Sequence, residues 1–168
     1  GDPIASFRIT TPANTGSSKL DGVELNLQHV FGNSGFGLAA NYTYVDSPDL
    51  NYDNANLGGQ FALVGLSDSA NLVAFYDKGS WQARAAYNWR DKFLSSGFDS
   101  ERPNPVYVEE YGQLDVSVGY KVTDNLTLQA EAINVTDETQ RTHGRNARQL
   151  RYATQTGPRY MFGVRYTF

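Results

Sequence analysis

The sequence contains no cysteine, a single methionine and few basic residues among its 168 amino acids. The absence of cysteine excludes disulfide bonds, thiolate metal sites and thiol nucleophiles. Fourteen Lys and Arg against 18 Asp and Glu give a formal net charge of −4 and a pI of about 5.1. Because a phosphate-binding face normally raises the pI of a domain, this balance argues against a nucleic-acid partner.

Long apolar runs are also missing. The best run, residues 72–76, is far shorter than the roughly 18 apolar residues that a membrane-spanning helix needs. The mean hydropathy of −0.49 therefore excludes helical spans, but not a barrel, whose strands alternate apolar and polar residues. The chain instead has 11 Tyr, 9 Phe and 16 Gly, a composition that favours strands and turns over helices.

Alternation of apolar and polar residues runs through most of the chain. In the closing segment the apolar and mostly aromatic residues fall on one face, and two arginines fall on the other. At residues 71–77 both faces are apolar, so the sequence leaves the register of that segment open. A weaker opening strand is predicted at residues 6–9. The seven clear segments are predicted strands at 20–31, 36–44, 71–77, 81–90, 113–122, 126–132 and 158–168.

The connections between these segments alternate in length. Tight turns rich in Gly, Asn and Asp lie at 32–35, 78–79 and 123–125, and polar stretches of roughly 20 residues lie at 46–69, 91–111 and 136–157. Outer-membrane barrels alternate short periplasmic turns with long outer loops in this way. We therefore predict an all-β, transmembrane antiparallel β-barrel of about eight strands, with the long loops outside.

The spacing of the two tryptophans agrees with the wall of a transmembrane barrel. Trp81 and Trp89 are eight residues apart on the same face. At about 3.3 Å per residue they lie about 26 Å apart along the strand. That distance is close to the height of about 25 Å between the aromatic girdles of outer-membrane barrels.

The polar face of the predicted wall would line the interior of the barrel. Charged groups there are hydrated by a wet lumen, or they form an interior salt-bridge network. The sequence leaves both alternatives open. The residues predicted to face the lumen are Glu24, Gln28, Arg84, Arg90, Asp115, Lys121, Glu131 and Arg165.

Several stretches resemble the C-terminal barrel portion of TonB-dependent outer-membrane receptors, the ligand-gated transporters of Gram-negative bacteria. The motifs are 22–25, 87–91, 111–115, 125–128, 133–138, and the closing set Gly163, Tyr166 and Phe168. The closing set resembles the signal that barrel assembly machinery reads. The opening 111–115 and the loop before the last strand look more like the branch often associated with oligosaccharide uptake than like siderophore receptors.

This resemblance implies that residues 1–168 are the last third of a barrel of about 22 strands, with the N-terminal plug absent. It implies residence in the outer membrane and contact with lipid, lipopolysaccharide, the rest of the barrel and the plug. It also implies barrel assembly machinery and, through the plug, the inner-membrane TonB complex as partners. The expected role is energy-coupled uptake of a nutrient, an oligosaccharide or an iron–siderophore complex.

The alternative is a self-contained eight-stranded outer-membrane barrel with a structural or adhesion role. Strand pairing discriminates between the two interpretations. Hydrogen bonding of residues 7–9 with residues 160–168 would close the barrel and favour the alternative. Open edges would favour the receptor segment.

Two sets of side chains in the predicted outer loops are candidates for ligand binding. Four arginines, spaced to line one face of a short helix, would hold an anionic ligand or lipopolysaccharide phosphates. Four aromatic rings would form a stacking platform for a sugar or a catecholate, or else pack within the loops. The alternative for the arginines is pairing with the loop acids Asp99, Glu101, Glu109 and Glu110. The candidates are Arg141, Arg145, Arg148, Arg151, Tyr52, Phe61, Phe98 and Tyr107.

No constellation in the sequence points to an enzyme. Nucleophilic catalysis needs a nucleophile and an orienting base within hydrogen-bond reach. Of the two histidines, His29 falls on the predicted lipid side and His143 falls in a mobile-looking loop without a neighbouring serine. Asp46, Asp49, Asn51 and Asp53 offer oxygen ligands but lack the ordered spacing of a calcium loop. We therefore assign no catalytic residue, no metal ligand and no cofactor.

Overall fold

A computed structural model describes residues 9, 11, 16–99 and 102–168. Antiparallel strands dominate this part of the chain, with one short 3-10 helix at Pro48–Leu50. The strands are β1 (Asp21–Val30), β2 (Phe36–Asp46), β3 (Ser69–Lys78), β4 (Trp81–Arg90), β5 (Phe93–Asp99), β6 (Arg102–Val108), β7 (Tyr111–Lys121), β8 (Leu126–Ile133), β9 (Gln140–His143), β10 (Leu150–Thr154) and β11 (Arg159–Tyr166). No helix in the described ranges is long and apolar enough to cross a membrane. The prediction of an all-β antiparallel fold is confirmed.

Seven strands form the larger sheet, in the order β1-β2-β3-β4-β7-β8-β11. All seven strands predicted from alternation lie in this sheet, and their ends agree to within about two residues. Within the described residues β1 pairs only with β2 and β11 only with β8, so the sheet is not closed. Residues 6–8 of the predicted opening strand lie outside the described residues.

The register of this sheet separates the apolar residues from the polar ones. Val23 lies opposite Tyr44 on the apolar face, and Glu24 lies opposite Thr43 on the polar face. At the far end of the sheet, Phe162 lies opposite Ala130 on the same apolar face as Val23. Because a slip of one residue would exchange the two faces, the register is strongly specified by the alternation.

The structure decides the register of strand β3, which the sequence left open. Leu72 lies between Ala40 and Tyr87 on the apolar face. Its neighbour Val73 lies between Ala39 and Ala86 on the polar face. Pairing with β2 and β4 therefore decides the orientation of β3, which its own side chains do not.

The apolar face has no packing layer over it in the described part of the chain. Phe162 is 85% exposed and Leu27 is 65% exposed, and Trp81 and Tyr87 are exposed as well. The sheet of a water-soluble protein would bury such a face under a second layer of secondary structure. An uncovered apolar face of this size is typical of a surface that contacts lipid or a partner.

Four further strands form a second sheet, in the order β10-β9-β6-β5. Each continues a strand of the larger sheet, since β5 follows β4, β6 precedes β7, and the hairpin β9–β10 connects β8 to β11. The order 5-6-9-10 therefore repeats the order 4-7-8-11. We call this second sheet the outer sheet, and the junction between the two sheets the seam.

The outer sheet corrects the prediction that residues 91–111 and 136–157 are long loops. Two prolines in β6, Pro103 and Pro105, argue against a strand because proline cannot donate to a ladder. On its β9 side, β6 pairs only at Tyr107 and Val108, beyond both prolines. On its β5 side, Pro103 lies opposite Phe98, and Pro105 falls at a register shift in the ladder. Strand β9 has only four residues, too few for a clear alternation.

The tight turns are confirmed where they were predicted. The turn between β3 and β4 uses Gly79 at a φ of 63°, a conformation that glycine adopts without steric cost. In the turn between β1 and β2, Gly35 has a φ of 87° and lies so close to β3 that a Cβ would be 2.7 Å from Cβ of Lys78. These turns lie at the end of the larger sheet opposite the outer sheet.

Candidate functional site

The polar face of the larger sheet carries all the residues predicted to face the lumen. Their positions follow from the register, which places Arg84 and Glu131 on either side of Ser117, and Lys121 and Arg165 on either side of Thr127. The full set is Glu24, Gln28, Arg84, Arg90, Asp115, Lys121, Glu131 and Arg165. That this shared face lines a lumen stays a prediction.

The charged residues of this set do not pair with one another within the described residues, and a salt-bridge network that includes other parts of the barrel stays a prediction. Lys121 instead pairs with Asp124 in the adjacent turn, with 2.8 Å between Nζ and Oδ1. The reason is the register, because the charged residues lie opposite uncharged partners such as Thr43, Ala86 and Thr127.

A ladder of amides crosses the polar face near the outer sheet. The amide of Asn71 donates a hydrogen bond to the amide oxygen of Asn88. Each strand from β1 to β4, and then β7, contributes one amide in direct register with the next: Asn26, Asn41, Asn71, Asn88 and Gln113. This ladder could not be predicted from the sequence, because the alternation places amides on the polar face but does not show which of them lie in direct register.

The ladder continues into a hydrogen-bonded network at the seam. Tyr111 donates to Oε1 of Gln113 at 2.8 Å, and Nε2 of Gln113 donates to Oδ1 of Asp115 at 2.7 Å. The same Asp115 oxygen accepts from the backbone N–H of Asn134 at 3.0 Å. Asn134 is 2% exposed and has a φ of 56°. The network fixes the point where β8 leaves the larger sheet.

The four candidate arginines do not lie on a helix, which corrects the prediction. Arg141 belongs to β9, Arg151 belongs to β10, and Arg145 and Arg148 lie in the turn between them. Offsets of four, seven and ten residues also occur by chance in a hairpin, so this spacing alone does not indicate a helix. Only the tertiary structure shows which of these arginines have partners.

Arg145 holds the long loop between β2 and β3 against the outer sheet. Its guanidinium donates to the backbone oxygens of Asn54 at 2.6 Å and Asn56 at 2.7 Å, and to that of Pro103 at 3.2 Å. A guanidinium suits this position because its donors are fixed in one plane. The contacts with Asn54 and Asn56 span about 90 residues of sequence, and all three use donors that a bound anion would require.

Arg151 forms the ion pair that the alternative interpretation predicted for one of the loop acids. Its Nη2 lies 2.7 Å from Oδ1 of Asp99. The hydrogen bond from Arg151 lowers the pKa of Asp99, and the same contact raises the pKa of Arg151. Since Asp99 is in β5 and Arg151 in β10, the pair links the two edge strands of the outer sheet.

The four candidate aromatic residues separate into two groups. Tyr52 is 8% exposed, donates to the backbone oxygen of Gly97 at 3.3 Å and lies beneath the guanidinium of Arg145. Tyr107 donates to Asn54, and burial raises the pKa of its phenol. Phe61 and Phe98 are exposed and line a separate depression of about 610 Å³. Four rings therefore do not form one continuous platform.

His143 is not on a mobile loop, which corrects a further prediction. It ends β9, is 5% exposed, and its ring stacks on Tyr107 with 5.0 Å between centroids. Its Nδ1 lies 2.6 Å from the backbone oxygen of Gly144. No pattern in the sequence indicates this burial, because the stacking partner comes from a different hairpin.

Comparison with protein families identifies the family of this chain. Residues 1–135 match the model of the family described as TonB dependent receptor-like, beta-barrel. The chain belongs to this family. Comparisons with curated proteins and with solved structures gave no match. The resemblance inferred from the motifs is confirmed.

In a TonB-dependent receptor barrel, the larger sheet is a segment of the barrel wall. Strands β1 to β8 lie within the matched residues, and β11 pairs with β8 over its whole length. Receptors of this family are membrane-embedded barrels that work with a plug and with TonB. The apolar face and the polar face are then the two sides of one receptor wall.

Proposed function

We propose that this chain is a wall segment of an outer-membrane receptor for energy-coupled nutrient uptake in a Gram-negative bacterium, with residues 1–168 forming the last part of its barrel. The apolar face contacts lipid, and the polar face lines a lumen that holds a plug. The observation that carries the proposal is the separation of an apolar face from a mostly polar face across seven paired strands. The nutrient proposed is an oligosaccharide or an iron–siderophore complex, delivered by the force that TonB exerts on the plug.

Aromatic residues at the two ends of the apolar face support this orientation. Near the tight turns, the rings of Trp81 and Tyr120 lie 4.5 Å apart. Near the seam, the indole of Trp89 donates to Oε1 of Glu110 at 2.7 Å. Rings with one polar atom are enriched where lipid meets water. The seam and the outer sheet would then lie outside the cell, in contact with lipopolysaccharide.

The closing residues support assembly in the same membrane. Tyr166 and Phe168 lie edge to face with 5.1 Å between centroids, and both are exposed. Gly163 is on the opposite face of β11, beside Gln129. We propose that this set is the signal read by barrel assembly machinery.

The self-contained barrel is less well supported. It requires β1 or a preceding strand to pair with β11, and in the described residues β1 and β11 are both open edges. Unpaired backbone within lipid costs several kcal/mol per group, so these edges require further strands of the receptor.

Sidedness is tested by placing the same charge on adjacent residues of β3. Leu72→Arg puts a guanidinium on the apolar face, and Val73→Arg puts it on the polar face. An arginine in the middle of the lipid face costs about 2–4 kcal/mol, while one in a wet lumen costs little. We expect Leu72→Arg to reduce the folded receptor in outer-membrane fractions, and Val73→Arg to leave it near the wild-type amount. The reverse order would exclude the proposed orientation.

Uptake is tested in the host bacterium. Deletion of the gene should abolish growth on one limiting nutrient, and a second deletion that removes TonB should have no additional effect on that nutrient. Growth under iron limitation and growth on defined oligosaccharides separate the two nutrient classes. A deletion strain that grows like the wild type under all of these conditions would refute a role in uptake.

A further inference from the structure

His143 is buried at the seam with an oxygen atom close to each of its ring nitrogens. Its side chain is 6% exposed, and its ring stacks on Tyr107 of β6. Nδ1 lies 2.6 Å from the backbone oxygen of Gly144. Nε2 lies 2.8 Å from Oε1 of Glu109, in the connection between β6 and β7. This second contact is short enough for an ion pair, although it is not aligned as a hydrogen bond.

The two oxygens determine how many protons this arrangement needs. A backbone carbonyl and an ionised carboxylate can only accept hydrogen bonds. A neutral imidazole carries one hydrogen, so one of its nitrogens would direct a lone pair at the oxygen beside it. A second proton makes both contacts favourable, whether it resides on Nε2 or on the carboxylate. The geometry therefore fits a His143–Glu109 pair that holds this second proton.

Glu109 is the charged group in direct contact with the imidazole. On the other elements, Tyr107 stacks on the ring, and Lys92 lies 5.9 Å from the centroid of Tyr107. His143 forms no other ion pair within the described residues. The remaining charged groups that line the same cavity at the seam, or lie in the turn of the hairpin β9–β10, are Glu110, Glu138, Arg141, Arg145 and Arg148. The charge of the imidazole therefore acts mainly on Glu109.

The pair lies where the hairpin β9–β10 joins the rest of the outer sheet. The ladder there is short, because β6 and β9 pair at only two positions, Tyr107 with His143 and Val108 with Thr142. One further backbone hydrogen bond runs from the N–H of Glu109 to the carbonyl of Arg141, at 2.9 Å. Loss of the attraction between His143 and Glu109 would therefore weaken a junction that has few other bonds.

The hairpin in turn holds the long loop between β2 and β3. Arg145, in the turn of the hairpin, donates to the backbone oxygens of Asn54 and Asn56. Tyr107, on which His143 stacks, donates to Oδ1 of Asn54 at 3.2 Å. A hairpin that separates from β6 would therefore also release the contacts of this loop.

We propose that the His143–Glu109 pair is a pH-sensitive contact, which fastens the hairpin β9–β10 at the seam when it is protonated and releases the hairpin when the proton is lost. Histidine is the side chain that changes charge between about pH 5 and 8. The contribution of the pair is present at the acid end of this range and is lost as the pH rises. The inference goes beyond nutrient uptake and does not depend on which nutrient is taken up.

Hydrogen exchange of the complete receptor in detergent measures how firmly the hairpin is attached. Protection factors of residues 140–154, corrected for the effect of pH on intrinsic exchange, would be compared at about pH 5 and pH 8. We expect protection in the wild type to be about five- to tenfold lower at the higher pH. The ion pair of Arg151 with Asp99 does not cause this change, because Arg151 lowers the pKa of Asp99 and the carboxylate stays ionised across the range.

Three variants identify the pair as the cause. His143→Phe keeps a ring to stack on Tyr107 but cannot titrate, so its protection should be the same at both pH values. Glu109→Gln supplies an amide that can donate to Nε2 of the neutral ring, so its hairpin should stay protected at the higher pH. His29→Phe is the matched control and should respond like the wild type. His29 is the other histidine of the chain and lies on the apolar face, near the tight turns.

Protection that rises with pH in the wild type, or that does not change, would overturn the proposal. A wild-type response in His143→Phe or in Glu109→Gln would also overturn it, as would a lost response in His29→Phe. The side chain of Glu109 is 35% exposed, so Glu109→Gln tests the pair even where His143→Phe does not fold. None of these results bears on growth of the deletion strain, so this proposal and the proposed uptake fail separately.

Discussion

Replacing Gly37 by alanine would add one methyl group at a contact that the structure shows to be closed. A Cβ on Gly37 would overlap with Cζ of Phe75 and would lie 2.6 Å from its Cε2, well inside van der Waals contact. The two residues are directly opposite each other in β2 and β3, on the polar face. Phe75 must therefore leave its position over the glycine, or the strands must separate.

The expected cost follows from two opposing effects. Overpacking costs about 1–3 kcal/mol, and the loss of glycine from the unfolded chain returns about 0.4–1 kcal/mol. Gly119→Ala is the matched control, because its nearest neighbour on the same face is Cβ of Gln82 at an ordinary 3.7 Å. The control receives only the favourable effect. The two variants should therefore differ by about 1–3 kcal/mol, with Gly37→Ala the less stable.

The assay is the unfolding temperature of the complete receptor in detergent, read from its mobility on gels without boiling. A double-mutant cycle identifies the cause, since Gly37→Ala should cost little when Phe75 is also replaced by alanine. Equal stability of the Gly37 and Gly119 variants would refute the reasoning. So would an undiminished cost of Gly37→Ala in the Phe75→Ala background.

Two further predictions concern the seam and the outer sheet. Asn134→Gly should lower stability by roughly 1–2 kcal/mol because its two hydrogen bonds to Glu138 are lost. Asn134→Ala should cost about 1 kcal/mol more, because the φ of 56° disfavours a side chain with a Cβ. Equal losses in unfolding temperature for the two variants would contradict this prediction. The Arg151 contact lowers the pKa of Asp99, so its contribution is present above the ordinary carboxyl pKa of about 4 and is lost as the pH falls through the lowered value. Hydrogen exchange of β10 should therefore be faster in Arg151→Met than in the wild type at neutral pH, and equal in the two proteins once Asp99 is protonated. A difference that persists in strong acid would contradict the ion-pair explanation.

The sequence by itself determined the wall of this receptor barrel. Side chains of a strand alternate with a period of two, so a segment such as 81–90 reveals its two faces without knowledge of its partners. Tight turns also depend only on the local sequence, since Gly79 adopts the positive φ of its turn without contacts from distant residues. Strand ends, turn positions and the sorting of apolar from polar residues could therefore be predicted, and the family motifs followed from the same stretches.

The tertiary structure alone decided what depends on distant partners. Strand β3 is apolar on both faces, so only its pairing with β2 and β4 shows that Leu72 lies on the apolar face of the sheet and Val73 on the polar face. Arg145 bonds to Asn54 across the long loop, and His143 is buried by Tyr107 from another hairpin. The physical reason is the range of the interaction: alternation and turn geometry act between neighbours in sequence, whereas the seam is built by side chains that folding brings together.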